Sequence, residues 1–113
     1  MQKNPVQINI ETRHGEIADI TKEKISAKVI KLQRFFERLL SIDIIIDLEK
    51  NDEPNVEVVV TPSPKGTFVA NHRSNDMFGS VDQVVAKLEQ QIKKYKEKIQ
   101  DHNKNHDAKH EIN

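Results

Sequence analysis

A chain of 113 residues, 35% hydrophobic and 32% charged, has material for one two-layer core, without the charge excess or apolar poverty of a disordered chain. Its 18 Lys+Arg balance 18 Asp+Glu, which argues against attraction of polyanions by bulk charge, and the absence of cysteine removes disulfides, thiolate metal sites and a cysteine nucleophile together. The longest apolar cluster, Ile42 to Leu48, is broken by Asp43 and Asp47 and falls short of the roughly 18 to 20 residues of a membrane span; Met1 to Val6 lacks the apolar region of a secretory leader. The expectation is a cytoplasmic protein with no membrane partner.

Gln7 to Glu11 alternates, with Ile8 and Ile10 on one face, and predicts a short strand reaching back to Val6. After a turn at Gly15, Thr21 is the expected N-cap of a helix running to about Leu40, with Glu23 suited to its positive end. Ile42, Ile44, Ile46 and Leu48 share one parity of a second strand, and Val56, Val58 and Val60 repeat the pattern in a third. Pro62 to Gly66 predicts a hairpin connection into a fourth strand, Thr67 to Ser74. Asp76 is the expected N-cap of a final helix from Met77 to about Gln100, although Gly79 lowers local propensity. The predicted fold class is therefore α+β, β-α-β-β-β-α, with two helices packed on one face of a four-stranded sheet. Residues 1–100 form the domain, and residues 101–113 read as a polar tail with too little apolar surface to order itself.

Charge is partitioned along this plan. From Lys22 to Arg38 the cations Lys22, Lys24, Lys28, Lys31, Arg34 and Arg38 face only Glu23 and Glu37, a net of +4. From Ile42 to Glu57 the balance is −5, and from Lys87 to Lys98 it returns to +3. At about 100° per residue, Ile25, Val29, Leu32, Phe36 and Leu39 form the inner face of the first helix, with Lys24, Lys28, Lys31 and Arg38 along one flank. In the second helix Met77, Val81, Val84, Val85, Leu88, Ile92, Tyr95 and Ile99 face inward, with Lys87, Gln91, Lys94 and Lys98 along one flank and Asp82 and Glu89 on the other. Such rows keep any surface helix soluble. Two rows on the same rotational side, both free of acid, also suit a phosphate backbone, which successive lysines can meet while releasing counterions. With 4% aromatics, and Phe36, Phe68 and Tyr95 on inward parities, only Phe35 is left to stack on a base, unless it covers the core edge; recognition of backbone and shape is favoured.

Other groups promise less. His14 with Glu16 and Asp19, and His72 with Asp76, could pair as acid and base, but neither accompanies a nucleophile motif or a phosphate-binding glycine loop. His102, His106 and His110 recur every four residues and would line one face of a helical tail, yet without further ligands they read as polar surface. Ile45, Val59 and Val69 could form an apolar patch on the uncovered sheet face, and with the acidic edge would suit a protein-binding regulator.

Gln7-Ile8-Asn9-Ile10, the helix segment Ile20-Thr21 through Lys28, Lys31 and Leu32, and above all Asp76-Met77-Phe78, Val81-Asp82 and Lys87-Leu88-Glu89-Gln90-Gln91-Ile92-Lys93-Lys94-Tyr95-Lys96 carry a resemblance. They resemble the ribosome hibernation promoting factor and ribosome-associated inhibitor A family, short form, over about Val6 to Lys98. The resemblance implies a domain like those that bind double-stranded RNA, lodged in the small ribosomal subunit across the messenger and transfer RNA channel, where it inhibits translation under stress or in stationary phase. By matching position Lys28, Lys31, Lys87, Lys94 and Lys98 would contact ribosomal RNA. With the rest of the two rows, the expected RNA-binding set is Lys24, Lys28, Lys31, Arg38, Lys87, Gln91, Lys94 and Lys98. No catalytic residue, cofactor, metal or small-molecule substrate is expected, and the chain should be a monomer away from the ribosome. The sequence departs from the family at Phe78, Gly79 and Ser80, where tyrosine and alanines are frequent, and at Gln90, where an arginine contact is lost.

Overall fold

The computed structural model describes residues 6–36, 38–63 and 66–108, with side chains described as far as residue 98. The elements are β1 (Gln7–Arg13), α1 (Asp19–Val29), a 3-10 segment (Ile30–Phe35), β2 (Leu39–Asp47), β3 (Asn55–Pro62), β4 (Phe68–Arg73) and α2 (Met77–Ala108). This is the predicted α+β order. The four strands lie side by side as β1-β2-β3-β4, with β1 parallel to β2 and the other neighbours antiparallel. The parallel pair requires α1 as its crossover, while the antiparallel pairs are joined by short connections.

Period-two patterning sets which face is dry. Ile42, Ile44 and Ile46 of β2 and Val56, Val58 and Val60 of β3 are completely buried, against Ile25 and Val29 of α1, Leu32 of the 3-10 segment, and Val81, Val84, Leu88 and Ile92 of α2. Burying one such aliphatic side chain contributes about 1.5–3 kcal/mol relative to leaving it exposed. Among the described residues, no helix covers the opposite sheet face.

The first helix differs from expectation at both ends. Its N-cap is Ala18, which makes no side-chain cap bond, and the amides of Thr21 and Lys22 donate to the Ala18 carbonyl at 3.0 and 3.1 Å. Thr21 is already inside the helix, and Asp19 supplies the negative charge of the first turn. The α-helix does not run to Leu40. It gives way to the 3-10 segment at Ile30, the backbone becomes extended at Phe36, and Leu39 and Leu40 belong to β2. The spacing Ile25, Val29, Leu32, Phe36, Leu39 fits a continuing helix, but a tighter turn followed by a strand also buries Leu39, which pairs with Pro62 ahead of a register shift at Ser41.

At the second helix the expected Asp76 cap is present: the Gly79 amide donates to Asp76 Oδ1 at 3.0 Å. The helical backbone passes the expected end at Gln100 and reaches Ala108, because no glycine or proline follows Gly79 to stop it. Its 32 residues span about 48 Å, far more than the roughly 20 Å of the six-residue β4. The helix therefore overhangs the sheet. Ile92 is its last buried residue among those described, and 93 to 98 are exposed.

Candidate nucleic-acid interface

The basic residues occupy three settings. Lys24 and Lys28 stand on α1, and Lys31 on the 3-10 segment beside Arg34, where Ile30, Lys31, Gln33 and Arg34 line an open groove of about 420 Å³. Arg38 is not on the helix at all. It is exposed in the connection to β2, and its carbonyl accepts the Ser63 amide at 3.1 Å. The seven-residue recurrence of Lys24, Lys31 and Arg38 thus loses its helical meaning once the winding tightens after Val29.

The flank of α1 that bears Lys28 faces the acidic flank of α2. Lys28 Nζ donates to Asp82 Oδ1 at 2.9 Å, and Arg34, which lies outside the first row, reaches Glu89 Oε2 at 3.3 Å, so one cation of that row and one neighbour of it are matched by carboxylates from the second helix. The basic flank of α2 lies on its other side, over the edge strand. Lys87 Nζ donates to the Asn71 carbonyl and Gln91 Nε2 to the Val69 carbonyl, each at 2.8 Å. The two rows are therefore not adjacent ridges. The body of α2, with Asp82 and Glu89, separates them.

From Gln91 at the rim of the sheet outward, Gln91, Lys94, Tyr95, Glu97 and Lys98 line a second open groove of about 520 Å³. Tyr95 corrects the expectation that it faces the core: its residue is 45% exposed, and its ring meets Phe68 edge-on at 5.5 Å, while Phe68 lies 5.8 Å from Phe36. The aromatic chain closes the end of the core and presents its last member among Lys94 and Lys98. Phe35, the expected stacking platform, is partly buried against the core, with the Arg34 guanidinium 5.0 Å from its ring centre. Lys96 donates to the Phe35 carbonyl and lies 5.9 Å from the Phe36 ring centre. Sequence reading did not place Arg34 and Tyr95 in the site. A period of 3.6 shows which way Tyr95 points but not that the sheet beneath it has ended.

The histidines take other partners than expected. His14, with φ of 64°, contacts Asp47 Oδ1 at 2.8 Å rather than Glu16 or Asp19. The Glu49 amide also donates to Asp47 at 3.0 Å, and these two interactions, the backbone one first, hold the Asp47 carboxyl below the usual carboxylate range. Ligand-type atoms of His14, Asp47 and Glu49 lie within 4.8 Å of one another and could hold a cation. His72 Nδ1 meets Ser80 Oγ at 3.1 Å instead of Asp76, and Ser74 Oγ lies 2.6 Å from the same buried serine hydroxyl, which leaves that polar group satisfied within the fold. His102, His106 and His110 have side chains outside the described residues.

Residues 8–100 match the family described as sigma 54 modulation protein / S30EA ribosomal protein. The chain belongs to this family. All seven cations of the expected set, and Gln91, fall within the matched span of the S30EA family. The chain is 30% identical over 95 residues to a ribosome hibernation promoting factor of Pseudomonas putida, covering 84% of this chain and 91% of that protein. Its fold is similar to a ribosomal subunit interface protein from Coxiella burnetii, with a TM-score of 0.68, 25% identity, and coverage of 80% of this chain and 98% of that one. The Protein Y N-terminal domain of Thermus thermophilus is similar in fold, with a TM-score of 0.70, 23% identity, and coverage of 80% and 99%.

Proposed function

We propose that this protein is a ribosome hibernation factor: it binds the small ribosomal subunit in the messenger and transfer RNA channel and inhibits translation under stress or in stationary phase. Membership of the S30EA family, with relatives named for ribosome hibernation and the subunit interface, supports the partner. The observation that carries the mode of binding is the overhang of α2, which holds Lys94 and Lys98 around an exposed tyrosine beside Lys87 and Gln91. There the lysines anchor successive phosphates of ribosomal RNA, while Lys24, Lys28, Lys31 and Arg38 form a second contact region. The mechanism is steric occlusion, and it uses no catalytic group, cofactor or small-molecule substrate. The protein acts in the cytoplasm and is a monomer when free.

Charge reversal tests this. Lys87→Glu with Lys94→Glu is expected to abolish co-sedimentation with small subunits at moderate salt, while circular dichroism remains that of the parent. Binding retained at parental strength overturns the assignment of these lysines.

A further inference from the structure

The helix-free face of the sheet has an ordered chemistry of its own. Strand register sets its side chains in three rows: Asn9, Asp43, Val59, Val69; then Glu11, Ile45, Glu57, Asn71; then Arg13, Asp47, Asn55, Arg73. Ile45 and Val59 are half-buried and diagonal to each other, and Val69 beside Val59 is 42% exposed. Together they make an aliphatic strip across three strands. Carboxylates border it, because Asp43 is opposite Val59, while Ile45 lies between Glu11 and Glu57.

The β2–β3 connection extends the negative region. The face and this loop carry Glu11, Asp43, Asp47, Glu49, Asp52, Glu53 and Glu57 against Arg13, Lys50 and Arg73, a net of −4. Arg13 is committed to Glu11 at 2.8 Å, and Arg73 points to the Glu53 carbonyl at 3.4 Å. Asp43 accepts from Asn9 at 2.9 Å, a neutral partner that leaves its charge uncompensated.

From this charge pattern we infer that the open face is a second docking surface, whose occupant is an extended lysine- and arginine-rich polypeptide segment. RNA is repelled by such a face, and an uncharged partner would desolvate carboxylates without pairing them. A lysine or arginine side chain satisfies both features at once: its methylene stem lies on Ile45, Val59 or Val69, and its charged head reaches Asp43 or Glu57. Residues two apart in each strand stand about 7 Å apart, the spacing at which an extended peptide repeats its side chains on one face. The inference does not depend on what the lysine-bearing helices bind.

The test uses the full chain labelled with 15N, titrated with a synthetic peptide of about twelve residues alternating Arg or Lys with Val. Two further ligands are a peptide with Glu replacing every cation and a short RNA duplex. Saturable shifts of the amides in Asn9–Arg13, Asp43–Asp47, Glu57–Thr61 and Val69–Arg73 are expected with the cationic peptide alone, weakening as salt rises. Asp43→Lys with Glu57→Lys should weaken peptide binding by at least about tenfold, while the Lys87→Glu, Lys94→Glu protein binds the peptide as the parent does. No binding at millimolar peptide, shifts confined to the helices, equal binding by the Asp43/Glu57 variant, or the same sheet amides responding to RNA would each overturn the inference. Loss of ribosome binding in the lysine variant leaves this result untouched, so the two readings fail separately.

Discussion

Asp76 and Gly79 form a unit in which each explains the other. A Cβ added at Gly79 would come within 2.5 Å of Asp76 Oδ2 and 2.9 Å of its Cγ, so the cap and the glycine are fitted together. Asp76→Ala should cost about 1 kcal/mol of stability, as loss of a helix cap usually does. Gly79→Ala should be nearly neutral alone, since the gain in helix propensity is offset by displacement of the cap, and stabilising by about 1 kcal/mol in the Asp76→Ala background. Urea unfolding of the four proteins measures this coupling, and simple additivity would refute it. The cap itself is legible in the sequence because Asp ahead of an apolar period has one common meaning, whereas the fitted contact depends on a side-chain rotamer that no spacing encodes. The histidines make the same point. His14 finds Asp47, 33 positions away, because β1 and β2 are parallel neighbours, whereas spacing along the chain points only to nearby acids.

Among the elements, the strands are legible because alternation of Ile or Val with polar residues admits one dry face, and all of Ile42, Ile44, Ile46, Val56, Val58 and Val60 occupy it. Helix ends are less so. Apolar spacing continued through Leu39 although the winding changed at Ile30, and inward parity continued through Tyr95 although the sheet had ended. The facing of α1 and α2 was the least accessible feature, since it sets Lys28 against Asp82 and Arg34 against Glu89 only once the two helices are laid on one sheet. These exposed pairs contribute at most about 1 kcal/mol each to stability. Under the proposed function their larger effect is on the RNA contact. Asp82→Asn with Glu89→Gln should free two cations, tighten ribosome binding, and steepen the dependence of log K on log salt by up to about 1.4–1.8. Sedimentation at several potassium concentrations reads the slope; an unchanged slope would mean that the pairs already open on binding.

Taken whole, the molecule carries no net formal charge, yet places cations on its helices and carboxylates on its sheet and β2–β3 loop. That division was legible from charge runs alone; the order β1-β2-β3-β4 that gives it two faces was not, because alternation specifies a dry face but not a neighbour. A single core joins the layers, so Leu88→Ala, at a completely buried site on α2, should cost about 2–5 kcal/mol and lower the denaturation midpoint of both layers in one cooperative transition. Separate transitions by helix and sheet probes would contradict this. The bonds from Lys87 and Gln91 to the carbonyls of Asn71 and Val69 have a different consequence. An outermost strand offers bare acceptors on which another copy's strand can grow, and two side chains from the neighbouring helix already occupy two of these positions on β4. Charge reversal at Lys87 therefore removes one of these stoppers as well as a positive charge, and such variants are best handled dilute, where strand-to-strand accretion is slow.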